Sequence, residues 1–211
     1  MKKSTKTILK TSAIVGSTLG ATYLVMGSFL YYFTLTDKGL NTPFIAKIAS
    51  GKPKNPDEER IRVDTIKKDG IKWYDNMKKE SLVIKSTNYN KFLHANLILP
   101  EKESDIFVFV IHGYTSSPRG MGVYVKKYHE MGYNVLTPSL NGHADSESPL
   151  ITMGWNDRLD IIDWINFIVE NYPDCKIVLH GESMGSATTM MTTGEKLPDN
   201  VKVAVADCGF T

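Results

Sequence analysis

Hydrophobic and polar positions divide the chain into three stretches. The first is apolar all round: residues 12–33 carry no charged side chain. A surface helix would show a polar face, and this run has none. Its 22 residues meet the roughly 20 needed to cross a bilayer. Tyr31, Tyr32 and Phe33 close the run with rings suited to a membrane interface. In the second stretch the pattern dissolves. Gly39, Pro43, Gly51, Pro53 and Pro56 punctuate it, and then come Asp57, Glu58 and Glu59. Proline with acids in the next turn marks a helix start. Ile61, Ile66, Trp73 and Met77 give a patchy helical stripe, interrupted at Gly70. This predicts one or two helices packed on the domain that begins near residue 81, with Trp73 and Tyr74 as core packing in preference to ligand contacts.

From residue 81 onward, the periods of strand and helix alternate. Residues 81–87 and 92–99 are β-rich runs around Asn88, Tyr89 and Asn90, an expected antiparallel pair. Residues 106–111 are apolar at every position, as in a strand covered on both faces. Helical spacing spans 122–131, a short strand 133–137 stops at Pro138, and an amphipathic helix spans 155–172. A strand at 176–180, a helix from about 184 to 196 and a strand at 201–206 complete the series. This is the rhythm of a parallel α/β sheet.

Composition narrows the function classes. Of 211 residues, 42% are hydrophobic and 23% charged, which excludes disorder and low-complexity scaffolds. The net charge is +2, yet Lys2, Lys3, Lys6 and Lys10 open the chain with no acid among them. The body beyond them therefore carries about −2, without the basic surplus a nucleic-acid binder needs. The same lysines orient the apolar run: they stay cytoplasmic, and the rest is carried outward. A cleaved signal peptide is the rival reading. Its apolar region runs about 7–15 residues and ends at a small-x-small site, whereas this run is longer and has no such site after it. Ser17, Thr18, Gly20, Thr22 and Gly27 do dilute its hydrophobicity. Cys175 begins one apolar run and Cys208 ends another, so in parallel strands they fall at opposite ends of the sheet. They are expected to be free thiols, each a small buried hydrophobe. No His-Glu-x-x-His, Cys-x-x-Cys or phosphate-cradling glycine loop occurs, so no metal and no cofactor is expected.

Candidate chemistry concentrates in two turns. Gly181-Glu182-Ser183-Met184-Gly185 comes directly after the strand at 176–180 and opens the next helix. The five-residue pattern alone is weak; the strand–turn–helix placement gives it force, because a nucleophile elbow needs that placement. Gly181 and Gly185 lack the Cβ that so sharp a turn would crowd. Ser183 Oγ then stands above the sheet at the positive end of a helix, and the Met184 N–H is a candidate oxyanion donor. The second turn, His112-Gly113-Tyr114-Thr115-Ser116-Ser117, comes after the doubly buried strand. Its Gly113 allows a close bend, and the Tyr114 N–H is the second candidate donor. Asn141-Gly142-His143-Ala144-Asp145-Ser146 is expected to form the loop beside the pocket.

These three motifs, in this order and spacing, resemble the α/β-hydrolase superfamily, in particular its esterase, lipase and serine-aminopeptidase-like branch with membrane-anchored bacterial members. The resemblance covers residues 81–211. Ala144 replaces the second glycine of the usual Gly-His-Gly-x-Ser. The resemblance implies a mostly parallel sheet flanked by helices, preceded by a transmembrane helix. It also implies a nucleophile at Ser183, an oxyanion hole from Tyr114 and Met184, and an acid and a histidine later in the chain. All five histidines, His94, His112, His129, His143 and His180, precede Ser183. Asp207 ends the last strand, one strand early for the family's acid, and is expected to support the loop.

The C-terminal part of the family's fold is therefore expected to be missing, leaving an apolar open edge on the last strand. The expected division is 1–36 as basic tip and signal-anchor, 37–80 as connector, and 81–211 as the N-terminal part of a hydrolase domain. The expected function of the parent protein is acyl-enzyme hydrolysis of small carboxylic esters. The alternatives are aminopeptidase-like cleavage of short peptides, or a non-catalytic membrane-tethered relic.

Overall fold

A computed structural model describes residues 2–43, 45 and 57–210. Helix α1 runs Lys2–Leu35. Its segment Ala13–Leu35, 23 residues of mean hydropathy 1.5, is long and apolar enough to cross a membrane, and none of it is buried in the protein. Three of its hydroxyls are satisfied within the helix. Ser17 and Thr18 both donate to the Ile14 carbonyl, and Thr34 donates to that of Leu30. That is how hydroxyl side chains are tolerated where water is absent. The connector prolines and glycines at Gly51, Pro53 and Pro56 lie outside the described residues. Helix α2, Glu58–Asn76, begins where the acids suggested, with the Asp57 carboxylate accepting the Arg60 N–H at 2.8 Å.

Two expectations for α2 are corrected. The helix runs unbroken through Gly70, and Ile61 and Ile66 are exposed instead of forming its buried stripe. Gly70 is a contact surface, not a break. A Cβ there would lie 2.6 Å from Val123, and one on Gly122 would lie 2.3 Å from the Gly70 carbonyl. Two glycines thus let helix backbones touch, and Tyr74, one turn on, is buried and bonds Thr137 at 3.1 Å.

The sheet contains β1 (Glu80–Lys85), β2 (Phe92–Ile98), β3 (Ile106–Ile111), β4 (Asn134–Pro138), β5 (Lys176–Glu182) and β6 (Val201–Asp207). Its spatial order is β1-β2-β4-β3-β5-β6. The first two strands and the β2–β4 pair are antiparallel, and the β4–β3, β3–β5 and β5–β6 pairs are parallel. Period two explains why β3 is apolar throughout. Phe107, Phe109 and Ile111 pack on one face with Ile161, Trp164, Ile165 and Ile168. Val108 and Val110 pack on the other with Tyr74, Met121 and Val125. The first partner is helix α4, Asp157–Asn171; the second is α2 with helix α3, Gly122–Glu130. Helix α5, Met184–Thr193, comes directly after β5 and ends at Gly194. Pro138, read as a stop, is the last residue of β4, opposite Ala95 at the strand end where a lost N–H costs little. Helix α4 starts two residues later than the pattern implied. Met153 (φ 50°) and Gly154 (φ 93°) hold a loop there, and the Gly154 N–H donates to Asp157 at 3.0 Å.

Both cysteines are free. Cys175 is buried as expected, but Cys208 is exposed, since it lies just past β6 with φ 45° and leaves the sheet. On β6, the outermost described strand on that side, Val203 and Val205 are exposed.

Candidate active site

The elbow is built by exclusion of side chains. Ser183 has φ 55° and ψ −113°, a conformation a non-glycine residue rarely adopts. Around it the chain is too tight for any Cβ on the flanking glycines. One on Gly181 would lie 2.0 Å from the Gly185 carbonyl oxygen, and one on Gly185 would lie 2.1 Å from that of Ile111. The start of α5 is thereby pressed onto the end of β3. The strained residue is held from both sides: its N–H donates to the Asp207 carbonyl at 2.8 Å, and its carbonyl accepts the Ala187 N–H at 3.0 Å. Although Ser183 occupies the cap position of α5, its hydroxyl makes no capping hydrogen bond. The side chain instead opens into a cavity of about 600 Å³, together with Gly113, Tyr114, Tyr124 and Glu182.

Gly113 lies against the elbow. A Cβ there would come within 3.0 Å of the Glu182 carbonyl and 3.3 Å of Ser183 Cβ. The structure thus brings Ser183, Gly113 and Tyr114 to one cavity. Met184, the first residue of α5, is fully buried in the core. The far wall of the cavity comes from α2, through Val63, Ile66, Lys67 and Ile71. Sequence reasoning missed this wall because it read Ile66 as core.

The histidines near the site are committed elsewhere. His112 is fully buried; its Nδ1–H donates to the Gly113 carbonyl at 2.9 Å, and its Nε2 accepts the Leu140 N–H at 3.1 Å. Burial lowers its pKa to about 4. His143 repeats the arrangement, with Nδ1–H to the Asn141 carbonyl at 2.9 Å and Nε2 accepting from the Thr115 N–H at 3.2 Å. Burial lowers its pKa too. A ring that donates through one nitrogen and accepts through the other is a neutral strut, with no lone pair left to act as a base. His180 bonds the Tyr128 phenol at 2.8 Å, and burial lowers its pKa. Asp207 accepts the Tyr124 phenol at 3.0 Å. Burial, then Asp207, raises the pKa of that phenol. Among the described residues, no histidine donates to or accepts from Ser183 Oγ.

A second group that the sequence did not reveal sits on α4. Asp157, Asp160 and Asp163 share one buried face at spacing three. The Asp157 carboxylate accepts the Asn141 N–H at 2.8 Å, the Asn141 side chain at 2.8 Å, the Thr152 hydroxyl at 2.6 Å and the Gly154 N–H at 3.0 Å. Asp160 accepts from Lys91 at 2.7 Å, and Asp163 from the Thr87 N–H at 3.0 Å. Burial raises the Asp160 pKa against the pull of Lys91. Asp157 and Asp160 fix the loop from 139 to 154, both through Asn141, and Asp163 holds the turn at Ser86 and Thr87. Ala144, where the motif has glycine, holds φ 48° within that loop.

A strained serine between a central parallel strand and a buried helix, facing a glycine turn from the neighbouring strand, defines an α/β-hydrolase-type site. The chain belongs to the α/β-hydrolase superfamily: the model of the alpha/beta hydrolase fold matches residues 107–211. Over 159 residues the chain is 24% identical to the uncharacterized protein YqkD of Bacillus subtilis strain 168, covering 74% of this chain and 52% of that protein. It is 30% identical over 88 residues to a thermostable monoacylglycerol lipase of Bacillus sp. strain H-257, covering 39% of this chain and 33% of the lipase. Among solved structures, the Pyrococcus furiosus esterase Pf2001 superposes with a TM-score of 0.57 at 27% identity, covering 63% of this chain and 52% of the esterase. The chain spans about half the length of YqkD and of this esterase.

Proposed function

We propose that Ser183 is the nucleophile of a serine hydrolase acting on carboxylic esters, anchored in a membrane by residues 12–33. The observation that carries the proposal is the left-handed Ser183 between two glycines that no side chain could replace, with its hydroxyl free and directed into a cavity. Ser183 Oγ attacks the ester carbonyl carbon and passes its proton to a base. The oxyanion of the tetrahedral intermediate is held by the N–H groups of Tyr114 and Met184. Collapse expels the alcohol, which takes up the proton, and leaves an acyl group on Ser183. Water then attacks the acyl-enzyme and releases the acid. The step needs a base; among the described residues His112 and His143 are neutral struts, His180 bonds Tyr128, and none of the three bonds Ser183. Without a base the Ser183 hydroxyl is a weak nucleophile.

The named esterase and lipase relatives support the ester reading. The lysines at the amino terminus support a cytoplasmic tip, residues 1–36 as an uncleaved anchor and an extracellular domain from 81 onward, joined through 37–80. The decisive test is hydrolysis of p-nitrophenyl esters and aminoacyl anilides by the whole protein, with and without Ser183→Ala. Ester turnover that falls roughly a thousandfold or more in the variant supports the reading. Preferential anilide turnover would reassign the protein as a peptidase, and ester turnover unaffected by the substitution would remove Ser183 from the mechanism.

A further inference from the structure

The carboxyl end of α1 is joined to the loops around the candidate site. The Leu35 carbonyl accepts the Ile151 N–H at 3.0 Å, and the Asp37 N–H donates to the Pro149 carbonyl at 3.1 Å. Thr36 and Leu150 form an antiparallel bridge between them. Tyr114, in the glycine turn that faces Ser183, donates its phenol to the Thr34 carbonyl at 2.7 Å. The chain then folds back on the helix. Thr36 donates to the Tyr32 carbonyl at 2.7 Å and accepts the Gly39 N–H at 3.0 Å. A Cβ on Gly39 would lie 1.9 Å from the Tyr32 carbonyl oxygen, so only glycine permits this turn. Leu40 packs on the main core. The apolar helix therefore enters the domain without a flexible linker, and it does so at the end of the sheet that carries Ser183.

Large apolar side chains are exposed along the same junction. Tyr31 and Tyr32 end the apolar helix, Leu150 on the bridged segment is 40% exposed, and Trp155 is 63% exposed with the Arg158 guanidinium stacked on it at 3.9 Å. Tryptophan and tyrosine favour the zone between hydrocarbon and water, and arginine attracts anionic headgroups there.

We propose that this junction seats the Ser183 face of the domain on the bilayer surface, with Leu150 and Trp155 dipping into the interface. The cavity at Ser183 then draws its ester from lipid-borne amphiphiles of that bilayer. The seating rests on the reading of residues 12–33 as an uncleaved anchor, and the choice of substrate rests on the hydrolase reading. A leader cleaved before Leu35 would take with it the Thr34 carbonyl that accepts from Tyr114.

The experiment uses the whole protein in nanodiscs whose phospholipid is brominated near the glycerol end of its acyl chains. Bromine quenches nearby tryptophan. Trp164 is buried and Trp73 lies half-buried against His129, so the difference between the wild type and Trp155→Phe isolates position 155. Strong quenching that disappears in Trp155→Phe and weakens in Leu150→Asp is the expected result. Equal quenching in the wild type and Trp155→Phe, or loss of the chain from membranes on carbonate washing, would overturn the seating. This readout needs no Ser183 chemistry, so its failure is distinct from a failure of the hydrolase reading. For the source of substrate, Trp155→Asp in the whole protein is expected to lower turnover of a bilayer-borne ester several-fold while leaving a dissolved p-nitrophenyl ester unaffected. Equal losses on both substrates would overturn that part.

Discussion

Ser183 holds a backbone conformation that costs about 1–3 kcal/mol, which its surroundings must offset. They do so through close packing that leaves no room for a methyl group at either flanking glycine. Gly185→Ala would place a carbon 2.1 Å from the Ile111 carbonyl, and rigid backbone cannot yield as a side chain would. A loss of about 3 kcal/mol or more is expected in urea unfolding; a neutral outcome would mean that the elbow is looser than described. His112 makes a second prediction at this scale. Its folded pKa of about 4 lies below the ordinary 6.5, so the unfolded chain binds the extra proton first. Stability is then full above pH 6.5 and falls as the pH drops toward 4, by about 3 kcal/mol from this residue. His143 and His180 shift in the same direction and add to the slope. Unfolding curves between pH 7 and 4 should show the decline, and His112→Asn should flatten it.

At the scale of elements, the strands and helices of the domain were legible in the sequence because burial there obeys simple periods. The run at 106–111 read as a doubly covered strand, and each of its two side-chain rows meets a separate core. The tight turn at 181–185 was legible for a related reason, since its glycines sit where local geometry demands them. Contacts between distant segments were not legible. Gly70 resembled a helix break, yet it is the notch in which α3 rests. Alanine there would gain about 1 kcal/mol of helix propensity, but a Cβ 2.6 Å from Val123 costs about 1–3 kcal/mol. Net destabilisation of Gly70→Ala is therefore expected in thermal unfolding, and stabilisation would contradict the close crossing. The α4 carboxylates were hidden because an acid on an amphipathic helix ordinarily faces water. Asp157→Ala would strand four donors, the main-chain N–H groups of Asn141 and Gly154 among them. Breaking such a buried network costs about 3 kcal/mol. Hydrogen exchange should report the loosening first at residues 141–154.

For the whole molecule, the apolar helix, the strap after it and the loop facing Ser183 are linked by hydrogen bonds through Leu35, Thr36 and Tyr114. The placement of the apolar helix and the geometry at the site are thereby coupled in one structure. The apolar run and the Gly-Glu-Ser-Met-Gly turn were visible separately in the sequence, and nothing in their local patterns indicated that the two segments meet. The proposed reading places nucleophile and oxyanion donors in this chain, on a scaffold it shares with relatives about half of whose length it covers. The sharpest check on the nucleophile is fluorophosphonate labelling of the whole protein, with the adduct located by peptide mass spectrometry. A single adduct on Ser183, absent in Ser183→Ala, is the predicted result. A folded protein that takes no label, or takes it on another serine, would contradict the assignment of Ser183.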